Sequence, residues 1–336
     1  MLVLWIIVFI ISLLVLIFSA DRFTKAAEKL GMALGIPGFI IGVTVVSVGT
    51  SLPELMTSII ATVRSTELLD TTVVVLGDVV GSNIANILLV VGIIVLMVKK
   101  IEVKRSLIEL DIPLLLLSTT LLILVAYDGT VNFVEGIILL VSFAVYIKYS
   151  LSDHSREKVD VEGEVGEDVE KVRKPFWGIF RHRTEEARFE GKQILYIIIF
   201  GFFLWIGAKY TVDSLVGISE IVGIGTSVLA ASAVAISTSL PELFASGSAA
   251  LRGKYDIAMG NVFGSNIFNA LFVVGIPALI KPLTVPTEVI TIGIPFLIGA
   301  TLVYVFSAIS KKVYVYEGVI YLLIYGLFLA KLFKLF

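Results

Sequence analysis

The sequence predicts an all-α membrane protein with ten transmembrane helices, arranged as two five-helix repeats of inverted topology in which helices 2 and 7 are broken. Three observations lead to this fold class. Of the 336 residues, 57% are hydrophobic and only 16% are charged. Two motifs each occur once in either half of the chain. Pro and polar residues interrupt the apolar segments that carry these motifs, at matching places.

The apolar segments determine the number of helices. Runs of about 20 apolar residues are long enough to cross a hydrocarbon core as helices. A mean hydropathy of +1.01 excludes a soluble enzyme. Solid apolar runs also differ from the short alternating segments of an outer-membrane barrel. The predicted spans are 2–20, 36–63, 72–98, 108–126 and 131–149 in the first half, and 193–212, 219–250, 256–280, 288–308 and 313–334 in the second.

One strongly charged stretch, residues 150–192, holds 20 of the 54 charged residues and separates the two halves. We therefore predict a first repeat at 1–149, a charged loop at 150–192 and a second repeat at 193–336. Cytoplasmic loops are rich in Lys and Arg. With the N-terminus outside, 21 of the 26 basic residues fall on the cytoplasmic side. The sequence thus predicts a multi-pass protein of the cell membrane with both termini extracellular and a cytoplasmic central loop.

The two halves share two motifs in the same order. Residues 49–55 read GTSLPEL and residues 237–243 read STSLPEL, while residues 77–86 read GDVVGSNIAN and residues 260–269 read GNVFGSNIFN. Because each repeat has an odd number of spans, the second copy enters the membrane with opposite polarity. Secondary transporters of this design bind their substrate near the membrane midplane, between the repeats.

The first motif places a carboxylate at membrane depth in each half, Glu54 and Glu242. An ionised carboxylate there is costly unless it is paired or solvated, so such residues are functional candidates. Pro53 and Pro241 precede them, and proline removes a helical hydrogen bond four residues upstream. Backbone carbonyls freed in this way are tolerated in a membrane where they line a cavity.

Hydroxyl and amide oxygens surround the two carboxylates in the sequence. Residues four positions apart share a helix face, and this spacing joins Thr50 to Glu54 and Thr238 to Glu242. The same spacing occurs within the second motif. The polar members that we take as ligand candidates alongside these are Ser51, Ser239, Ser82, Asn86, Ser265 and Asn269. An all-oxygen set suits a hard cation such as Ca²⁺, or more than one Na⁺ in its place.

Three polar residues of the second motif have more than one interpretation. Asn83 and Asn266 fit a helix-packing or capping role as well as they fit ligation. Asp78 stands where the second repeat has Asn261, one turn before Ser82, and could face the cavity or cap the helix end. We expect Asp78 to be a cap.

The motifs resemble the two alpha-repeats of the cation/calcium exchanger superfamily, in its prokaryotic sodium/calcium exchanger branch. GTSLPE and STSLPE are similar to the first motif of that branch, and GSNIAN and GSNIFN are similar to the second. The resemblance implies a ten-helix antiporter that exchanges Ca²⁺ for Na⁺ by alternating access. It implies Ca²⁺, Na⁺ and the lipid bilayer as partners, a monomeric functional unit, and no enzymatic activity, cofactor or nucleic acid.

The resemblance also assigns the ion ligands. The Ca²⁺ carboxylates fall on Glu54 and Glu242, and hydroxyl or carbonyl ligands fall on Thr50, Ser51, Thr238 and Ser239. The second-motif ligands fall on Ser82, Asn86, Ser265 and Asn269. By resemblance alone, backbone carbonyls of Ser47 and Ala235 are added, and these two with Ser51 and Ser239 would serve flanking Na⁺ positions.

Departures from related branches narrow the ion specificity. The second motif of K⁺-dependent exchangers resembles GSNxFD and ends in Asp. This chain has Asn269 at that position, which argues against K⁺ co-transport. The proton-coupled branch has a GNxxE-type first motif that TSLPE does not match. An H⁺-coupled antiporter of Ca²⁺ or another divalent cation is therefore the alternative function.

Hydrolases and channels are the other classes to consider. Both His residues, His154 and His182, lie in the charged loop, so a serine hydrolase would have no base in the membrane. No HExxH motif is present, which argues against a metalloprotease. The inverted repeat disfavours a passive channel without disproving it.

Overall fold

A computed structural model describes residues 2–66, 70–103, 111–163, 191–222 and 239–334. The helices are α1 Leu2–Ala33, α2 Gly38–Thr50, α3 Leu52–Arg64, α4 Val73–Val98, α5 Asp111–Ala126, α6 Phe133–Gly163, α7 Lys192–Val222, α8 Leu240–Leu251, α9 Tyr255–Ile280, α10 Val289–Ile309 and α11 Val315–Leu332. The strands are β1 Lys100–Glu102, β2 Thr130–Val131, β3 Leu283–Thr284 and β4 Lys312–Tyr314.

Helix length and composition make the chain an all-α multi-pass membrane protein. Among the described residues, seven helices are long and apolar enough to cross a membrane, or eight if α2 and α3 form one bent span. Helix α5 is a shorter apolar helix of 16 residues. The predicted span 219–250 is described only at 219–222 and 239–250. Ten spans therefore remain a prediction.

Three predicted spans end too early. Helix α1 continues from residue 20 to Ala33, and helix α6 continues from residue 149 to Gly163, inside the predicted loop. Helix α7 continues from residue 212 to Val222, so the predicted span 219–250 begins inside α7. Hydropathy marks only the lipid-facing part of a helix, whereas Lys, Glu and Arg extend a helix into water because they are good helix formers. A left-handed Gly35, with φ of 68°, follows the end of α1, as is common after helices.

Burial separates central helices from peripheral ones. The apolar stretches of α4 and α9 are 83% and 78% buried, whereas those of α1, α6, α7 and α11 are only 17–22% buried. The exposed residues of these four helices include large apolar side chains such as Leu14, Val134 and Leu323. Exposed apolar surface of this extent marks a membrane interaction site. The second motif of each half, on α4 and α9, thus lies at the core of the bundle.

Equivalent positions of the two halves make equivalent contacts. Strand β1 pairs antiparallel with β4, and β3, which follows α9 as β1 follows α4, pairs antiparallel with β2. A Cβ added to Gly92 would meet Leu322, and a Cβ added to Gly275 would meet Leu140. These glycines lie 183 positions apart, the same offset as the second motif. The sequence did not predict the short strand pairs.

Helices α1 and α7 run antiparallel, in close contact. Glycines of α7 meet α1 in reverse order, because Gly201 lies beside Phe23, Gly207 beside Leu16 and Gly217 beside Trp5. The Thr211 hydroxyl donates to Ser12 Oγ at 3.1 Å. The first helix of each predicted repeat therefore points in the opposite direction to the other.

Candidate cation-binding site

The first motif forms a break between two helices. Helices α2 and α3 meet at an angle of 41°. Ser51 lies between them, with φ of −92° and ψ of 8°. Pro53 falls in the first turn of α3, where a backbone N–H would have no helical acceptor. Glu54 follows in the same turn, and carboxylates are stabilised there because the N-terminal N–H groups carry positive partial charge.

The equivalent motif of the second half begins α8 in the same manner. Ser239 precedes the helix with φ of −90° and ψ of −1°. Pro241 and Glu242 lie in its first turn. Both carboxylates therefore project from helix N-termini, and both side chains are fully buried.

The second motif contributes polar side chains from the two central helices. In each helix a π-helical turn starts at the last Asn of the motif, spanning Asn86–Val90 in α4 and Asn269–Val273 in α9. Such turns are rare and are frequently found at functional sites. A Cβ at Gly264 would collide with Val43 and Ser47 of α2. The glycine thus lets α2 and α9 approach closely beside the first motif.

Hydrogen bonds join each carboxylate to side chains of other helices. Ser51 Oγ donates to Glu242 Oε1 at 2.9 Å, across the two halves. Ser265 Oγ lies 3.5 Å from the same Glu242 oxygen. On the other side, Ser82 Oγ donates to Glu54 Oε1 at 3.3 Å. Each carboxylate keeps its second oxygen, Oε2, outside these bonds.

Two small networks result, one around each carboxylate. Near Glu242, Thr50 Oγ1 lies 3.3 Å from the Ser47 carbonyl oxygen and 3.5 Å from Ser265 Oγ. The Ser47 carbonyl also accepts the Ser51 N–H at 3.0 Å. The Ser47 hydroxyl donates to the carbonyl of its own helix, at Val43.

The network near Glu54 uses groups of the second half. Asn269 Nδ2 donates to Ser82 Oγ at 3.4 Å. Ser239 Oγ lies 3.3 Å from Ser82 Oγ. Each network therefore combines side chains from both halves of the chain, so each carboxylate is in contact with helices of both halves.

Four buried acceptor oxygens of this cluster make no hydrogen bond with any residue that the structure describes. They are Glu54 Oε2, Glu242 Oε2, Asn86 Oδ1 and Asn269 Oδ1. A buried polar group without a partner costs about 1–3 kcal/mol. Four such acceptors among the ligand candidates, two of them on carboxylates, fit a cation better than they fit a neutral ligand.

Neither carboxylate has a basic partner among the residues that the structure describes. The spans 36–63, 72–98, 219–250 and 256–280 contain no Lys, Arg or His. None of the ion pairs among the described residues involves Glu54 or Glu242. Two carboxylates buried without a protein cation repel each other, and a bound metal cation would remove that repulsion.

The structure brings most of the predicted site residues together. Ten of the twelve are described, and all ten are buried: Ser47, Thr50, Ser51, Glu54, Ser82, Asn86, Ser239, Glu242, Ser265 and Asn269. Nine of these belong to the two hydrogen-bonded networks, and Asn86 lies one helical turn after Ser82. Thr238 and Ala235 lie outside the described residues.

Two residues in contact with the site were not predicted as part of it. Thr50 Oγ1 lies 3.2 Å from Asn261 Oδ1, and Asn261 Nδ2 donates to Ser246 Oγ at 2.8 Å. The signal was present, because Asn261 is one turn before Ser265 and Ser246 is one turn after Glu242. Both continue the polar face that the motifs begin.

The structure places the ambiguous members of the second motif. Asn83 Nδ2 donates to the Asn266 carbonyl at 3.0 Å, which joins α4 to α9. Asn266 Nδ2 donates to the Val262 carbonyl of its own helix at 2.7 Å. The Nδ2 groups thus support helix structure and packing, while both Oδ1 atoms are buried without a hydrogen bond to a described residue. The prediction that Asp78 caps a helix is wrong, because Thr72 precedes the helix and Asp78 is buried in its second turn.

Comparison with protein families and with known relatives gives the same family description. A family model described as "Sodium/calcium exchanger protein" matches residues 4–152 and 192–334. Sodium/calcium exchanger MaX1 of Methanosarcina acetivorans is 30% identical, and the match covers 97% of this chain and 98% of the relative. Inner membrane protein YrbG of Escherichia coli is 33% identical, with 81% of this chain and 79% of the relative covered.

Solved structures of similar architecture are those of the sodium-calcium exchanger NCX_Mj. One, soaked with 2.5 mM Na⁺ and 0.1 mM Ca²⁺, has a TM-score of 0.77 at 25% identity, and the match covers 98% of this chain and 99% of the other. Another, soaked with 2.5 mM Na⁺ and 10 mM Sr²⁺, has the same TM-score and coverage. The likeness therefore extends over the whole length of both chains.

Proposed function

Because the chain belongs to the sodium/calcium exchanger family, we propose that it is a secondary antiporter that exchanges Ca²⁺ for Na⁺ across a membrane by alternating access. One observation carries the proposal: two buried carboxylates, with no ion pair to any described residue, face hydroxyl and amide groups from both halves of the chain. Members of the family are ion transporters, and we assign this chain no enzymatic activity and no resident cofactor.

The two carboxylates account for the coupling. Glu54 and Glu242 together neutralise one Ca²⁺, which accepts six to eight oxygens in flexible geometry. Two or more Na⁺ ions would satisfy the same charge with the same kind of oxygen. Because a buried pair of ionised carboxylates is unfavourable without cations, the protein changes its exposed side with Ca²⁺ bound or with Na⁺ bound, and not with the carboxylates bare.

The remaining ligand candidates are uncharged oxygen donors of three chemical kinds. Serine and threonine hydroxyls, amide oxygens and backbone carbonyls complete the coordination of Ca²⁺ or Na⁺. The proposed set is Glu54, Glu242, Thr50, Thr238, Ser51, Ser239, Ser82, Asn86, Ser265 and Asn269, with the carbonyls of Ser47 and Ala235. Thr50, with its hydroxyl among Ser47, Ser265 and Asn261, lies where a shift of α2 against α9 would alter the coordination.

We propose the architecture that the sequence predicts, with two inverted five-helix repeats at 1–149 and 193–336 and a cytoplasmic loop at 150–192. The antiparallel contact of α1 with α7 and the equivalent strand pairs support it. The family match also leaves out residues 153–191. The distribution of basic residues supports extracellular termini in the cell membrane, and a single chain provides both halves of the site.

A transport assay tests the function directly. Vesicles that contain the purified protein are loaded with Na⁺ and diluted into Na⁺-free medium with Ca²⁺. We expect Ca²⁺ uptake that depends on the outward Na⁺ gradient and is absent from protein-free vesicles. Uptake driven by an H⁺ gradient but not by Na⁺ would contradict the proposal and favour proton-coupled exchange.

A further inference from the structure

One position of the repeated motif differs in charge between the halves. Asp78 of α4 and Asn261 of α9 occupy the same place in the second motif, 183 positions apart. Both side chains are buried. The ligand candidates one and two turns further on, Ser–Asn in each helix, are identical. The difference therefore adds a negative charge to one side of an otherwise matched site.

Asn261 shows what a neutral side chain does at this position. Its Oδ1 lies 3.2 Å from the Thr50 hydroxyl, and its Nδ2 donates to Ser246 Oγ at 2.8 Å. The amide thus connects a ligand candidate of one half to the helix that carries Glu242. This arrangement needs both a donor and an acceptor on the same side chain.

Asp78 cannot reproduce that arrangement when it is ionised, because a carboxylate has no N–H to donate. The counterpart of Ser246 in the first half is Ser58, 188 positions earlier. Ser58 is buried, and its hydroxyl makes no hydrogen bond with a described residue. The aspartate is therefore not explained as a substitute for the asparagine amide.

The place of Asp78 in the helix directs it toward the Glu54 network. Asp78 and Ser82 lie four residues apart on α4 and share a face, and Ser82 donates to Glu54 at 3.3 Å. Among the described residues, no three acidic or His side chains come close enough to share one metal ion. Asp78 is thus placed beside the carboxylate pair without being a third ligand of one ion.

We propose that Asp78 is a fixed negative charge beside the Glu54 half of the site, which strengthens binding of Ca²⁺ more than binding of Na⁺. It is a specificity-determining residue that acts through the electrostatic field, without contact to the ion. The proposal rests on the proposed function, because it concerns the same cation site.

The charge dependence gives a quantitative expectation. Coulomb energy is proportional to the product of the charges, so removing one fixed charge weakens a divalent ion twice as much, in free energy, as a monovalent ion at the same place. We expect Asp78→Asn to raise the half-saturating Ca²⁺ concentration about tenfold and that for a Na⁺ ion about threefold, the square root of the Ca²⁺ change.

Ion binding is measured on purified protein by the shift in thermal unfolding with Ca²⁺ or with Na⁺, for four forms: wild type, Asp78→Asn, Asn261→Asp and the double variant. The double variant moves the charge to the other half and restores the total charge. We expect it to recover most of the Ca²⁺ affinity that Asp78→Asn loses. Asp128→Asn, in an exposed turn, removes the same charge far from the site and is expected to leave both affinities unchanged.

Several results would overturn the proposal: unchanged affinities in Asp78→Asn, an equal loss for Ca²⁺ and Na⁺, or no recovery in the double variant. Unfolding without ions separates a folding defect from a binding defect. If Asp78→Asn does not fold, Asn261→Asp decides, since an added charge must strengthen Ca²⁺ more than Na⁺. A wild-type protein that binds Ca²⁺ in this way but shows no Na⁺-driven uptake would contradict the proposed function and leave this proposal standing.

Discussion

Two carboxylate clusters in this protein differ in where their positive charge comes from. Near the end of α1, Asp21 Oδ1 accepts Arg252 Nη1 at 2.8 Å and the Ser248 hydroxyl at 3.2 Å. The same guanidinium donates from Nη2 to Thr24 Oγ1 at 2.8 Å. This cluster contains its own cation, and it ties α1 to the end of α8.

The central cluster, around Glu54 and Glu242, has similar hydroxyl groups but no ion pair with a described Lys, Arg or His. Among the described side chains, only hydroxyl groups donate hydrogen bonds to Glu54 and Glu242, and the spans around them lack basic residues. The guanidinium of Arg252 neutralises Asp21 within the chain, so that contact is structural. Under the proposed function, Glu54 and Glu242 instead obtain their positive charge from the transported ions.

The largest test of this difference neutralises one central carboxylate. We expect Glu54→Gln or Glu242→Gln to lower Na⁺-driven Ca²⁺ uptake at least a hundredfold, because removing one partner of a buried charge pair costs about 3–5 kcal/mol. Uptake into vesicles measures this effect. Glu135→Gln, at an exposed turn, makes the same chemical change and is expected to retain transport. Normal uptake by either central variant would show that the ions bind elsewhere.

A smaller effect is expected from the hydroxyl that links the halves. Ser51→Ala removes the donor to Glu242 Oε1 at 2.9 Å. Hydrogen bonds to charged groups contribute about 1.5–3 kcal/mol, so we expect the Ca²⁺ concentration for half-maximal uptake to rise about tenfold or more. Ser12→Ala is the matched control, because its buried hydroxyl contacts Thr211 between α1 and α7. A similar change in both variants would indicate general loosening of the bundle.

The sequence identified a set of polar residues that the structure brings together, but it predicted the helix bounds less well. Side chains such as Glu54 and Ser82 could be identified from the repeated motifs and from the four-residue spacing between polar positions, because that spacing is a property of a single helix. The bond from Ser51 to Glu242 joins residues 191 positions apart, and no helical periodicity specifies such a contact. The assignment of Asp78 to a helix end was wrong even though the predicted span begins at residue 72, one position before the actual start at Val73, because an acidic residue in an apolar segment was interpreted as a boundary.

Removing the cation of the Asp21–Arg252 cluster is expected to affect stability and leave ion binding unchanged. Arg252→Gln leaves Asp21 without its guanidinium, and both groups are partly buried, with side-chain exposures of 22% and 35%. We expect a loss of about 1–2 kcal/mol in the free energy of unfolding, between the ranges for exposed and buried pairs, with the Ca²⁺ affinity unchanged. Thermal unfolding in detergent and the uptake assay measure the two quantities.

The matched control for that variant is Lys25→Gln, which removes the more exposed partner of the same aspartate at 2.7 Å. An exposed pair four residues apart on a helix contributes only about 0.3–0.5 kcal/mol. The equivalents of Asp21 and Arg252 in the other half are Lys209 and Arg64, 188 positions away. Because both are basic, these two residues form no matching ion pair with each other. A loss of Ca²⁺ affinity in Arg252→Gln would contradict the expectation that the Asp21–Arg252 contact is purely structural.

The smallest expected effect concerns Asp70, a carboxylate outside the membrane spans that accepts hydrogen bonds from hydroxyls and from the Thr72 backbone N–H. The Thr284 hydroxyl donates to Asp70 Oδ2 at 2.6 Å and the Thr72 hydroxyl to Oδ1 at 2.6 Å, and these bonds lower the pKa of Asp70 to about 2. A pKa below the unfolded value of about 3.9 means that stabilisation is present above pH 4 and is lost as the pH falls toward 2. Since Asp70 is exposed, we expect these bonds to contribute less than about 1 kcal/mol to the free energy of unfolding.

Thr284→Val removes the first donor, so it should raise the pKa of Asp70 and lessen the pH-dependent part of the unfolding free energy. An identical pH dependence in wild type and Thr284→Val would show that the hydroxyl does not stabilise the charge.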